Sequence, residues 1–291
     1  MDFFNKSTMP IVLALGFFDG AHLGHKEIFS LGKQMCTNGE SFAVFTFNGT
    51  FFKNNLGNIF TLKEKQEIFK NNGASLIIKA DWTQDFCNLT ATEFLQILTK
   101  NHNIKGLVCG EDFTFGKNAL GNVNTLIDFC NENNIKLKVA KIKNYNGKKI
   151  SSSLIKEKLA CGEVKSANIW LGENYFVSGR VVHGRGEGNK KTYPTANLQI
   201  PQDKFKIKSG VYATKVKINE QEFNGITNYG NCPTFNCNDF LIETYILNFN
   251  GDIYNKDIKI EFLDYLRDIK KFNSAQELKE QIEKDLGYFL W

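Results

Sequence analysis

The chain has 291 residues, 42% of them hydrophobic and 13% aromatic, with a formal net charge of +5. That is material for one large domain or two ordinary ones. The charge is too small and too interspersed to indicate nucleic acid, though it leans toward anionic small molecules. No stretch approaches the ~20 apolar residues of a membrane helix, and the opening MDFFNKSTMP lacks the basic region and cleavage site of a secretory leader. The seven cysteines form no CxxC pair, which favours reduced thiols over a zinc site or a disulfide framework. The expected setting is the cytoplasm, with no membrane and no nucleic-acid partner, as a monomer or weak homo-oligomer acting on small molecules.

The first half alternates strand and helix. IVLALGF (11–17) reads as a buried strand, 22–37 as a helix, SFAVFTF (41–47) as a strand and LKEKQEIFKNNG (62–73) as a helix ending at Gly73. SLIIK (75–79) is a short strand. TATEFLQILTK (90–100) is a helix with Thr90 and Glu93 at capping-box spacing. The strand GLVCG (106–110), the helix NTLIDFCNEN (124–133) and the strand KLKVAKI (136–142) follow. Short apolar strands alternating with helices predict parallel pairing and an α/β layered fold.

After about residue 170 the pattern changes. YFVSGRVVH (175–183), SGVYATKVKI (209–218), EFNGITNYG (222–230), LIETYILNF (241–249) and DIKIEFLDYL (257–266) read as strands separated by turn signals. They predict an antiparallel sheet or barrel. A last helix begins near Ser274, with Glu277 at capping-box spacing and Leu278, Ile282 and Leu286 on one face. Two domains are expected, 1–171 and 172–291, hinged near WLGEN (170–174).

Two segments carry chemistry-bearing spacing. GFFDGAHLGH (16–25) lies where the first strand turns into a helix. Free backbone N–H groups and the helix dipole favour an anion there. His22 and His25 are i and i+3 and share a face, and Gly24 lets a ligand approach the backbone. Two imidazoles so placed can donate to phosphate oxygens; on spacing alone, a pair of surface histidines fits equally well. In YPTAN (193–197), Thr195 and Asn197 point the same way in an extended chain. Their oxygens are hard ligands of the kind Mg²⁺ takes; a plain strand entry also fits. The Gly-rich HGRGEGNKKT (183–192) is neither a Walker A loop nor G-x-G-x-x-G, because its three glycines are two apart throughout.

HxGH at the first strand-to-helix turn resembles the nucleotidyltransferase superfamily. The fuller string GFFDGAHLGH resembles the FAD synthetase module of bacterial bifunctional riboflavin kinase/FMN adenylyltransferases. GEDFTFG (110–116) resembles that module's G-x-D-F-x-F-G segment. SSSLIK (151–156) resembles its Ser-Ser-Thr-x-x-Arg signature, with Ser153 for Thr and Lys156 for Arg. Lys156 keeps the charge and loses the bidentate fork. PTAN resembles the flavokinase signature, with Thr192 where the family has Gly. NYGNCPTF (228–235) and residues 243–272 resemble the family's C-terminal blocks.

The resemblance implies a Rossmann-like nucleotidyltransferase domain followed by a Greek-key antiparallel β-barrel flavokinase domain with a C-terminal helix. It implies riboflavin phosphorylation to FMN and adenylylation of FMN to FAD, with ATP and Mg²⁺. Glu243 is implied as the base, with His22 and His25 acting on the nucleotide phosphates. ATP or phosphate contacts are implied for Gly16, Phe18, Asp19, Gly20, Gly24, Asp112, Ser152, Ser153, Lys156, Gly184 and Pro194. Flavin contacts are implied for Phe115, Gly210, Tyr212, Asn228 and Arg267, and metal ligation for Thr195 and Asn197. The departures at Ser153 and Lys156 leave open a kinase with a weakened adenylyltransferase site; a non-catalytic flavin-binding regulator is the other alternative.

Overall fold

The structure is a computed structural model, and it describes all residues except 50–55, 142–143, 146, 183–194, 232–239, 273 and 291. The chain divides into two compact units, Met1–Ser152 and Ser153–Trp291.

The first unit contains β1 (Ser7–Leu15), α1 (Leu23–Met35), β2 (Ser41–Asn48), α2 (Leu62–Asn71), β3 (Leu76–Asp81), α3 (Gln84–Asn88) and α4 (Ala91–Asn101). β4 (His102–Gly110), α5 (Val123–Glu132), β5 (Lys136–Ala140) and a small hairpin, β6 (Asn144–Tyr145) with β7 (Lys148–Lys149), follow. The five long strands are all parallel, in the order β3-β2-β1-β4-β5. Ile11–Leu15 is buried throughout, as a central parallel strand covered on both faces must be. α1 lies close over β2 and β4 because Gly32 has no side chain: a Cβ there would stand 2.4 Å from the Phe42 ring and 3.1 Å from Val108. Thr90 makes the expected capping box with Glu93, and Thr61 makes an unforeseen one with Glu64 at the start of α2. The strand order reverses between β1 and β4. The crevice beyond the carboxyl ends of those two strands is where open α/β sheets bind ligands.

Apart from Ser152, the first residue of α6, the second unit holds α6 (Ser152–Ala160), α7 (Val164–Leu171), β8 (Phe176–Val182), β9 (Thr195–Gln199), β10 (Gly210–Ile218), β11 (Gln221–Asn231), β12 (Phe240–Ile246), β13 (Asp257–Arg267) and α8 (Ala275–Leu286). Its six strands form a closed antiparallel barrel in the order β10-β11-β12-β9-β8-β13. Inside lie the fully buried Tyr212, Tyr229 and Phe262, together with Thr214, Thr227 and Thr244. Those three hydroxyls form a chain, 2.8 Å from Thr214 to Thr227 and 2.9 Å from Thr227 to Thr244.

The division after Ser152 differs from the expected boundary at residue 171. The intervening helices bond to the barrel. Lys208 N donates to Leu159 O at 3.0 Å. Asn168 Nδ2 donates to Phe262 O at 2.8 Å, while its Oδ1 accepts from Tyr175 N at 2.7 Å. At the other end of the unit, Ser274 Oγ caps α8 by accepting from Glu277 N at 3.1 Å.

Candidate active sites

Between β1 and α1 the backbone enters the left-handed region at Phe18 (φ 52°), Gly20 (φ 80°) and Ala21 (φ 40°). For a phenylalanine this costs about 1–3 kcal/mol and must be held by its surroundings. The buried Phe18 ring sits 4.9 Å from Phe29 and 5.2 Å from His25, and packs so close to Gly16 that a Cβ there would lie 2.7 Å away. Phe18 is thus the core anchor of the turn. Asp19 Oδ1 accepts from Ile59 N at 2.8 Å, and its carbonyl accepts from Ser152 Oγ at 2.7 Å. Below the turn, Phe17 O accepts from Thr46 Oγ1 at 2.9 Å and from the buried Lys65 Nζ at 3.2 Å.

His22 occupies the N-cap position of α1 without capping it. Its ring stacks on that of His25, centroids 3.6 Å apart and planes 17° from parallel. Burial pushes His22 down to about 4, with Asp112 opposing and Lys149 adding to the shift. Burial, then His22 and Lys65, holds His25 well below the usual imidazole range. Both rings are therefore neutral near pH 7, which is what lets them stack. Among the described residues neither Nδ1 has a hydrogen-bond partner although both are buried. Buried unsatisfied nitrogens in a cleft are groups for which a ligand is the natural partner.

Two cavities adjoin here. One, of about 210 Å³, is polar and lined by His22, Gly24, His25, Asp112, Lys149 and Ser152 among others. The other, of about 550 Å³, has walls of Phe17, Phe47, Trp82, Phe86, Phe113 and Phe115. His25, Asp112 and Ser152 border both. Asp112 Oδ2 lies 2.7 Å from Lys149 Nζ, both side chains about half exposed. An anionic, polyphosphate-like group suits the small cavity, and a flat aromatic ring system suits the large one. The sequence motifs did not identify Phe47, Trp82, Phe86 or Lys149. Their signal was weak: aromatics at the carboxyl ends of β2 and β3, and a lysine two residues before the serine run.

Ser153 and Lys156 are in α6 with the second unit. The Lys156 ammonium stands 5.8 Å from the Phe205 ring, and neither residue lines a cavity described here.

On the barrel, directly opposed residues of antiparallel neighbours share a face. Asn197 opposes Glu243, Glu243 opposes Asn228, Asn228 opposes Val211 and Val211 opposes Arg267. One row across five strands thus carries the expected base, one expected metal ligand and two expected flavin contacts. Thr195 Oγ1 donates to Glu243 Oε1 at 2.8 Å. α8 lies over this face and encloses a cavity of about 160 Å³, bordered by Thr195, Asn228, Glu243, Arg267, Ile282 and Asp285. Asn228 Oδ1 is buried with no partner among the described residues. At the Glu243 end, the Thr195 hydroxyl, the Glu243 carboxylate and the amide oxygens of Asn228 and Asn197 are hard oxygen donors of the kind Mg²⁺ takes.

Two expected flavin contacts lie elsewhere. Tyr212 is in the barrel interior, its hydroxyl donating to Lys208 O and its phenol pushed far up by burial. Gly210 serves packing, because a Cβ there would be 2.4 Å from the Tyr265 ring and 2.9 Å from Arg267 O. Gly184 and Pro194, with the Gly-rich loop, lie outside the described residues.

A parallel sheet with a phosphate-type cleft, in one chain with a barrel that gathers a carboxylate, a hydroxyl and two amides on one face, is the make-up of a two-unit group-transfer enzyme. The comparisons with known proteins narrow this class. Residues 4–154 match the FAD synthetase family and residues 171–289 the riboflavin kinase family. A bifunctional riboflavin kinase/FMN adenylyltransferase of Bacillus subtilis is 35% identical over 94% of this chain and 90% of its own. One from Haemophilus influenzae is 32% identical, covering 97% and 94%. A crystal structure titled as a macrolide-efflux protein, from Streptococcus pneumoniae, superposes with a TM-score of 0.86 at 29% identity, covering 98% and 96%. Among the described residues here no helix is long and apolar enough to cross a membrane. The chain belongs to the family of bifunctional riboflavin kinase/FMN adenylyltransferases.

Proposed function

We propose that the barrel unit phosphorylates riboflavin with ATP to give FMN, and that the first unit transfers AMP from a second ATP to FMN, giving FAD and pyrophosphate. The observation that carries this reading is the pairing of two unlike sites in one chain. One is a cleft with two neutral, stacked histidines, whose Nδ1 atoms have no hydrogen-bond partner among the described residues, beside an aromatic cavity. The other is a barrel row centred on Glu243.

In the kinase reaction Glu243 accepts the proton of the ribityl 5′-hydroxyl as that oxygen attacks the γ-phosphorus, and ADP leaves. Thr195, donating to Glu243, orients the carboxylate. Phosphoryl transfer depends chiefly on positioning and charge neutralisation, so one carboxylate within hydrogen-bond reach is a sufficient base. Thr195 and Asn197 would hold a magnesium ion, which supplies neutralisation of the ATP phosphates.

In the adenylyl transfer the aromatic cavity takes the flavin ring, and the FMN phosphate oxygen attacks the α-phosphorus of ATP. His22 and His25 donate to the nucleotide phosphates and steady the charge that builds there. Their low proton affinity means they act as neutral donors. Gly24 leaves the helix N-terminus open to the phosphates, and Asp112 and Ser152 border the nucleotide. The setting is the cytoplasm, where ATP is supplied and thiols such as the buried Cys109 and Cys130 stay reduced.

The test is to incubate the purified chain with riboflavin, ATP and Mg²⁺ and to separate the flavins by chromatography. FMN followed by FAD is expected. FMN without FAD would reduce the reading to a kinase, and no product would overturn it.

A further inference from the structure

A buried ion pair joins α8 to the barrel. Arg267 Nε donates to Asp285 Oδ1 at 3.0 Å and to Oδ2 at 3.1 Å, and Nη2 donates to Oδ2 at 2.7 Å. The side chains are only 15% and 5% exposed. Nη1 donates to Asp268 O at 3.2 Å, and Gln281 Nε2 donates to Asp285 Oδ1 at 2.9 Å. Both charged residues border the same cavity as Glu243 and Asn228. Arg267 reaches this face through a bulge at Leu266, because Val211 opposes Arg267 while Tyr212 opposes Tyr265.

Arg267 ends the row that contains Glu243, three strands away around the closed barrel, and both residues border the cavity under α8. With the hydroxyl end of a tricyclic ring carrying a five-carbon polyol at Glu243, the ring end lies toward Arg267 and α8. Riboflavin is uncharged, and a lone guanidinium beside a neutral ring would sit buried without compensation. With Nε, Nη1 and Nη2 all bonded to the chain, Arg267 is a fixed plane, 5.8 Å from the Phe272 ring.

Resting on the kinase reading above, we propose that Asp285 is a positioning residue of the kinase site. It holds Arg267, and with it α8, as the wall against which the ring end of riboflavin lies. Its effect is on flavin binding and is separate from the proton transfer at Glu243.

The test measures riboflavin phosphorylation by the full chain. D285N is expected to raise the KM for riboflavin about tenfold, equivalent to about 1.4 kcal/mol. The kcat stays within about threefold and the KM for ATP is unchanged, the pattern of a loss confined to substrate binding. D285E restores most of the affinity. R267K, which keeps the charge but loses the fork, behaves as D285N does. The double variant is no worse than either single one, because both remove one interaction.

An unchanged riboflavin KM in D285N, a fall in kcat alone, or simply additive effects of D285N and R267K would overturn the proposal. Should D285N fail to fold, as judged by its thermal melt, the KM criterion passes to R267K and D285E, which keep a charge at each position. A wild-type chain that makes no FMN overturns the kinase reading itself. A wild-type chain that makes FMN, with variants that keep its riboflavin KM, overturns only the role of Asp285.

Discussion

Replacing His22 by glutamine should remove much of the acid sensitivity of the first unit. In the unfolded chain this imidazole takes a proton near pH 6.5, but burial in the folded chain delays protonation to about 4. Between those values the unfolded state binds more protons, so unfolding free energy falls as pH falls, and the loss is complete below the folded value. His22 is only 6% exposed, so little solvent screening reduces the effect. The full shift corresponds to about 3 kcal/mol, of which about 2 kcal/mol is already lost at pH 5. His25, held low by the same burial, adds a loss of the same sign. The assay is urea unfolding of wild-type and H22Q chains at pH 7.5 and pH 5.0, followed through amide-exchange protection of β1. The wild type should lose about 2 kcal/mol more than H22Q on acidification. Equal losses would mean that His22 titrates normally, and the neutral-donor account of the phosphate cleft would fail with it.

The two activities should separate by mutation. His22→Ala with His25→Ala should lower FMN-to-FAD conversion and leave riboflavin phosphorylation largely intact, whereas Glu243→Gln should lower phosphorylation ~10²–10⁴-fold and spare FAD formation from supplied FMN. Chromatography of the flavins checks both. Asn197→Ala should raise the Mg²⁺ concentration needed for half-maximal phosphorylation without changing FAD formation from FMN, as a Mg²⁺ titration of each reaction would read. Gly32→Ala pushes a methyl into the Phe42 ring and against Val108. It should destabilise the first unit by about 1–3 kcal/mol, visible as a lowered melting temperature.

Much of the fold was legible because the local signals agree with one another. Ile11–Leu15 is continuous and apolar where the sheet is covered on both faces, and the period-two strands after residue 175 coincide with a barrel that has one packed face. The missed elements were short or polar. α3 is five residues long, and β6 and β7 are two residues each. β9 escaped because Thr, Ala and Asn carry little strand signal until the pairing with β12 supplies it.

The compact division falls after Ser152 because tertiary hydrogen bonds such as Asn168 to Phe262 tie α6 and α7 to the barrel, whereas the riboflavin kinase family match begins at residue 171; in sequence the two helices resemble a continuation of the alternating half. Within the sites, motif residues were visible and their partners were not. His22 and His25 stand in a recognisable motif, but Phe47, Trp82 and Phe86 of the aromatic wall do not, because they converge on it from the ends of β2 and β3 and from α3. Arg267 stands in a recognisable block, whereas its partner Asp285 lies 18 residues further on in a helix that carries no motif. Tyr212 shows the opposite failure: a residue within a recognisable block that the barrel uses for its core.

The three threonines inside the barrel bear on how the kinase site is assembled. Thr244 follows Glu243 and Thr227 precedes Asn228, so each hydroxyl faces inward beside a partner that faces outward. A one-residue slip between β11 and β12 would break the hydroxyl chain and turn the carboxylate toward the apolar interior. A mispaired barrel is therefore both unsatisfied within and inert without. The same three buried side chains act as a key for the register, so a chain that has folded stably has thereby already aligned the row proposed to act in the kinase reaction.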